Sequence, residues 1–211
     1  MTLVNNSGKI INELGDAKGA EYDNYNVAKT EIIRVKSDDD SLDLPMKLTW
    51  PLTMKAGKKY PVLISIYGGP NAGTVNEGFT LGGTQQWYAK EGLIQVAMDH
   101  RASGHFGKEG VNYMYHNLGD WELKDYATMV KWLVANGSAD AKKICITGFS
   151  YGGYMSCLAL TKYSDVFTHG MAGGSVTDWS LYDSHYTEKF MGTLTNNAEG
   201  YKTGNVMNYV N

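Results

Sequence analysis

The 211-residue chain has only two cysteines, four prolines and no apolar run near the roughly 18 residues of a membrane-spanning helix. Each scarcity excludes something. Cys145 and Cys157 are too few for a disulfide framework, and in their apolar segments they are expected to behave as small buried residues. Without a long apolar run, no membrane span is expected. Charged residues are 19% of the chain and the net charge is −3. No concentrated basic face is therefore available for nucleic acid or a membrane surface. The opening MTLVNNSGKIINEL has neither a basic nor an apolar leader region, so no signal peptide is visible. Five histidines show no metal-ligand spacing with carboxylates or cysteines, and neither metal nor cofactor is expected.

Apolar residues, at 43%, are enough for a packed core, and the length suits one large domain or two small ones. "TLVNNSGKIINEL" reads as two short strands around Asn5–Gly8. A lone hairpin is marginal in water, so this one is expected to close something larger. "TEIIRVK" and "LPMKLTW" form a second hairpin around "SDDDSLD", whose acidic tip reads as a solvated turn. From Tyr60 the pattern changes. "YPVLISIYGGP", Leu93–Met98 and "KKICIT" read as strands buried on both faces. "GDWELKDYATMVKWLVANG" is an amphipathic helix with Asp120 as N-cap and Gly137 as stop. A helix follows Ser150 to about Lys162, then a sixth short strand, "FTHGMAGGS", and a tyrosine-rich loop. The alternation implies an α/β fold: a mostly parallel sheet with an antiparallel N-terminal edge.

Gly148-Phe149-Ser150-Tyr151-Gly152 places a serine between a strand and a helix, the setting that G-x-S-x-G requires. A side chain on so sharp a turn strains its backbone, and neighbours without Cβ atoms relieve the crowding. Ser150 is thereby a candidate nucleophile. The Tyr151 N–H, at a helix N-terminus, is a candidate oxyanion donor. A second donor belongs in "SIYGGPNAG". Either the Tyr67 hydroxyl or the N–H groups of Gly68 and Gly69 could supply it, and Tyr67 could equally be one more tyrosine capping a strand.

The stretches "YPVLISIYGGP", "MDHRASGHFGKEG", "LGDWELKDY", "GFSYGGYMS" and "SVTDWSLYDSHYTEKFMG" resemble the catalytic domain of the prolyl oligopeptidase family of serine peptidases, in its dipeptidyl peptidase IV branch. The resemblance implies an α/β-hydrolase whose serine attacks the bond after a penultimate proline or alanine of a peptide substrate. It implies a Tyr67 hydroxyl paired with the Tyr151 N–H, and a small proline pocket lined by Val176, Trp179, Tyr182 and Tyr186. It further implies that residues 1–28 are the tail of a preceding β-domain, a β-propeller, and that residues 29–211 begin the peptidase domain. A homodimer and a periplasmic or secreted location are implied for the parent by resemblance only. "DHRASG" departs from the family, with His100 and Ala102 where small residues are usual, and no role is carried onto Arg101.

A serine nucleophile needs a base and an orienting acid, which on this fold follow in the order Ser, Asp or Glu, His. After Ser150 only His169 and His185 remain. His169 comes too early, and Asp183 and His185 share one segment. The expectation is a hydrolase fold incomplete at its C-terminus, without the triad acid and base, inactive as given and with an exposed sheet edge. The competing readings are a carboxylesterase or lipase using the same serine, and a non-catalytic remnant that binds proline-containing peptides.

Overall fold

The computed structural model describes residues 1–78 and 81–210. Two short strands, β1 (Thr2–Val4) and β2 (Ile10–Glu13), pair antiparallel as the expected N-terminal hairpin. Asn5 closes its turn, with Oδ1 accepting from Ser7 N and Lys9 N. All residues of both strands are exposed.

A separate six-stranded sheet carries the rest. Its strands are β3 (Thr30–Lys36), β4 (Asp43–Thr49), β5 (Tyr60–Ser65), β6 (Ile94–Met98), β7 (Ala139–Phe149) and β8 (His169–Gly173), in the spatial order β3-β4-β6-β5-β7-β8. The β3–β4 and β4–β6 pairs are antiparallel, and β6, β5, β7 and β8 run parallel. The antiparallel edge and parallel body are those expected from the switch in pattern at Tyr60.

One face of the sheet is covered by α3 (Trp121–Ala135) and α4 (Tyr151–Lys162). Leu123, Tyr126, Ala127, Met129, Val130 and Leu133 of α3 pack with Tyr154, Met155, Leu158 and Ala159 of α4 over Tyr60, Val62, Ile64, Ile144 and Ile146. On the opposite face α1 (Gly83–Lys90) lies beside β6, and Gln85 and Tyr88 share a groove there with Leu63 and Gln95. Strands read as buried on both faces are therefore buried on one. Leu63, Cys145 and Thr147 face the thinly covered side and are half-buried. The cysteines are free and half-buried, not fully enclosed as expected. The remaining helices, α2 (Gly107–Asn112), α5 (Ser184–Met191) and α6 (Ala198–Thr203), are short, and the tyrosine-rich segment is α5 preceded by a 3-10 turn at Trp179–Leu181, not a loop.

Two local expectations are corrected. Asp120 makes no side-chain cap for α3; its carboxylate takes Lys124 Nζ at 2.7 Å. The acidic tip between β3 and β4 is not simply solvated. Asp39 accepts from Ser37 and Ser41 and from Arg101 Nη1 at 3.1 Å. The serine hydrogen bonds first, then Arg101, hold its carboxyl well below the usual range.

Candidate active site

Ser150 stands between the end of β7 and the start of α4 with φ 58° and ψ −116°, a left-handed conformation that costs a non-glycine residue free energy. Its neighbours hold it there. The Ser150 N–H donates to Gly173 O at the end of β8 (2.9 Å), and Ser150 O accepts the first helical bond from Tyr154 N (3.0 Å). The flanking glycines are steric necessities. A Cβ on Gly148 would lie 2.5 Å from the Gly152 backbone, and one on Gly152 would lie 2.6 Å from Ile66 O. Strand, elbow and the chain at Ile66–Tyr67 thus meet closer than side chains would allow. At the N-terminus of α4 the Tyr151 N–H has no intrahelical acceptor, and the helix dipole leaves this end partly positive.

Tyr67 lies two residues beyond β5, and the elbow packs against its backbone: the same Gly152 Cβ position is 3.3 Å from Tyr67 Cα. Tyr67 is 40% exposed, and its ring lies 6.3 Å from the ring of Tyr151. Gly69 is what lets the ring stand there, since a Cβ would come within 2.6 Å of Tyr67 Cε1.

The loop that carries Tyr67 is braced by residues not foreseen from the sequence. His100 is fully buried; it sits 2.9 Å from Gly68 O through Nε2 and accepts from Ala102 N through Nδ1. That pattern makes it a neutral imidazole with the proton on Nε2, and burial lowers its pKa to about 4. Asn71 N donates to Ala102 O at 3.0 Å. Asp99 accepts from Thr74 N, Thr74 Oγ1 and Val75 N and meets His105 Nε2 at 2.8 Å. The two residues that depart from the family pattern, His100 and Ala102, are thus buried braces of the loop. Arg101, between them, is fully buried against Asp125, with Nε–Oδ2 at 2.9 Å and Nη2–Oδ1 at 2.7 Å, and its guanidinium lies 3.9 Å from the Trp121 ring centre.

The four expected pocket residues separate into two kinds. Tyr182 and Tyr186 meet edge to face at 5.8 Å; Tyr182 is 46% exposed and Tyr186 half-buried. Trp179 lies beneath them, 1% exposed, stacked on Tyr186 at 5.9 Å and 5.5 Å from Tyr151. It supports the two tyrosines instead of forming a wall, and Val176 packs half-buried against the core. Asp178 and Asp183 start the two short elements by accepting from Ser180 N and Tyr186 N. These cap residues are a signal in the sequence that could have placed both. The aromatic floor joins the elbow through Tyr151, whose hydroxyl donates to buried Glu122 at 2.6 Å.

The two histidines after Ser150 lie outside this arrangement. His169 pairs in register with Cys145, whereas Phe149, next to Ser150, pairs with Gly173. Four strand residues put His169 roughly 13 Å below the elbow. His185 is exposed on α5, where the carboxylate of Asp183 is engaged by Tyr186 N. Among the described residues no group of three or more His, Cys, Asp or Glu is placed to hold a metal, and no helix is long and apolar enough to cross a membrane.

Residues 79–211 match the model of the prolyl oligopeptidase family. The human prolyl endopeptidase FAP is 36% identical over 201 residues, covering 94% of this chain and 26% of its own length. A dipeptidyl-aminopeptidase B by name from Tuber melanosporum is 38% identical over 170 residues, covering 79% of this chain and 18% of the relative. The crystal structure of Porphyromonas gingivalis dipeptidyl peptidase 4 superposes with a TM-score of 0.84 at 30% identity, over 96% of this chain and 29% of that one. The chain spans about a quarter of the length of the first curated relatives it matches. With its parallel sheet, its left-handed serine between β7 and α4 and these likenesses, the chain belongs to the prolyl oligopeptidase family and has an α/β-hydrolase fold.

Proposed function

We infer that this chain is the nucleophile-bearing part of a serine peptidase of the dipeptidyl peptidase IV type. Ser150 is the nucleophile and attacks the carbonyl carbon of a residue, proline or alanine, that stands second in the peptide. The bond to the leaving amine breaks after a tetrahedral intermediate, and the dipeptide is left as an ester on Ser150 until water releases it. The Tyr151 N–H and the Tyr67 hydroxyl receive the oxyanion. The edge-to-face pair Tyr182 and Tyr186 is the wall against which a compact proline ring rests. The observation that carries this reading is the left-handed backbone of Ser150 at the head of α4, held through its N–H by Gly173 O and through its C=O by Tyr154 N.

The base and acid of the triad are assigned to no residue of this chain. His169 is too far down β8, and His185 is exposed on α5 in the same segment as Asp183, whose Oδ1 accepts from Tyr186 N. The chain as given is therefore expected to be inactive, since losing the histidine of such a triad costs on the order of 10⁶ in kcat. The exposed two-stranded N-terminal sheet, apart from the main sheet, fits the end of a preceding β-domain.

The test compares release of p-nitroaniline from a Gly-Pro anilide by residues 1–211 and by the product of the source reading frame extended past Asn211. Activity in the longer product only, abolished by Ser150→Ala, supports the reading. Turnover by residues 1–211 would overturn the missing-triad part. Faster hydrolysis of short acyl esters than of the anilide would make it an esterase. Binding of proline peptides with neither turnover nor fluorophosphonate labelling would make it a non-catalytic remnant.

A further inference from the structure

Of the buried acids Asp99, Glu122 and Asp125, Glu122 is the one bonded to a residue of the elbow. Glu122 occupies the first turn of α3, where a carboxylate ordinarily faces water. Here it is 0% exposed. Its Oε1 accepts from Tyr151 Oη at 2.6 Å and from Gly119 N at 2.8 Å, while Oε2 has no partner. Gly119 reaches this bond with φ +89°, and a Cβ there would strike the Tyr154 ring and Leu158. A costly buried carboxyl is thus held against α4 by backbone geometry that only glycine accepts.

Tyr151 links Glu122 to the elbow. Its backbone N–H begins α4 next to Ser150. Its ring, 2% exposed, is packed against Tyr154 at 5.4 Å and Trp179 at 5.5 Å, and its hydroxyl ends on Glu122. The groups facing Glu122 are Tyr151 and Tyr154 from α4, Tyr126 and Asp120 from α3 and its start, and Tyr186 from α5. No cation is among them.

We propose that Glu122 is a positioning residue of the oxyanion site: by gripping the hydroxyl of Tyr151 it fixes the first residue of α4, and with it the N–H beside Ser150. This rests on the reading of that N–H as an oxyanion donor. The effect is felt where charge develops, because the same misalignment of an N–H costs more against an oxyanion than against a neutral carbonyl oxygen. Burial of the carboxyl, partly offset by the Tyr151 and Gly119 bonds, pushes its pKa up to about 7. A neutral amide oxygen can accept the same two bonds, so glutamine is the conservative replacement.

The test measures kcat and KM for the Gly-Pro anilide in the active polypeptide containing residues 1–211, with Glu122→Gln, Glu122→Leu, Tyr151→Phe and the Leu/Phe double variant. Glu122→Gln is expected to stay within about threefold of the parent. Glu122→Leu and Tyr151→Phe should each lower kcat by about tenfold or more with KM nearly constant. The double variant should be no worse than the weaker single, as for two groups acting as one unit. Additive losses, a rise in KM without loss of kcat, or Gln as damaging as Leu would overturn the proposal. Ser150→Ala separates the two levels: activity surviving it sinks the nucleophile assignment, whereas activity lost with Ser150→Ala but indifferent to Glu122→Leu sinks only the role of Glu122. A readout without turnover uses residues 1–211. The Tyr151 amide resonance should follow the Glu122 titration with a midpoint of about 7 and stop doing so in Glu122→Gln and Tyr151→Phe. A Tyr151 amide that does not move with Glu122 also overturns the proposal.

Discussion

Arg101 and Asp125 face each other in the interior as a two-pronged pair, Nη2 to Oδ1 at 2.7 Å and Nε to Oδ2 at 2.9 Å, with both side chains 0% exposed. The Asp125 carboxylate also accepts the Arg101 backbone N–H at 2.9 Å. The pair joins the loop after β6 to α3, and the third arm of the guanidinium reaches Asp39 on the β3–β4 turn.

Removing Asp125 takes away the fully buried partner of Arg101 and leaves the guanidinium to the more exposed acids of the β3–β4 turn, Asp39 and Asp38. Asp125→Ala is expected to destabilise the fold by about 3–5 kcal/mol. Asp39→Asn, which touches a half-exposed partner, should cost about 1 kcal/mol or less. Urea unfolding of the three proteins checks the ranking; equal midpoints for Asp125→Ala and the parent would refute it.

At the elbow, Gly152→Ala places a methyl group 2.6 Å from the Ile66 carbonyl oxygen. Neither backbone can retreat without disturbing the β5–β7 pairing. A loss of about 1–3 kcal/mol or more is expected, seen as a lowered thermal midpoint. Gly83→Ala, with open space around its Cβ, serves as the control and should cost nothing.

Tyr67→Phe removes one hydroxyl and little else. In a longer polypeptide with the proposed activity kcat should drop by about 10²–10³, as loss of one oxyanion donor does, while Glu122 and the aromatic floor remain in place. Unchanged kcat would take Tyr67 out of the mechanism.

Two buried groups act oppositely on stability as pH changes. Glu122 has a folded pKa of about 7 against 4.5 ordinarily. Between those values the folded state holds a proton that the unfolded chain has lost, so stability falls as pH rises. His100 has a folded pKa of about 4 against 6.5 ordinarily. Between those values the unfolded chain binds a proton that the folded state refuses, so stability falls as pH drops. Each contribution is about 3 kcal/mol, and from pH 4.5 to 6.5 they cancel. Urea midpoints of the parent should change less across that window than those of a variant lacking either group. Glu122→Gln removes one side of the balance and should become acid-sensitive there; a flat profile in this variant would contradict the assignment.

The elements with strong apolar patterning, β3 to β8 with α3 and α4, were legible in the sequence, as was the elbow at Ser150. What escaped depends on distant partners. Glu122 in a first helical turn reads as an ordinary dipole-compensating acid, and its burial follows from Tyr151, 29 residues later. Asp39 reads as a turn residue until Arg101, 62 positions on, folds over to it. "GTQQWYAK" and "SHYTEKFM" are single short helices with few apolar residues, so their periodicity is weak, although Asp183 announces the second. Tyr182 and Tyr186 were singled out by family resemblance. That Trp179 supports them from below could come only from packing.

The left-handed Ser150 sets stability against chemistry at a single residue. Any L side chain at position 150 carries strain that glycine would shed, and Ser150→Gly should relieve roughly 1 kcal/mol of it. A search for the most durable sequence on this backbone would therefore discard the serine first. The tension does not stop there: the Gly173 carbonyl that pins the Ser150 N–H, and the glycines that clear room beside it, keep the less comfortable residue in place. Consensus or thermostability engineering of this chain should treat positions 148 to 153 as closed to optimisation, because improvement measured in melting temperature would be bought there with the proposed nucleophile.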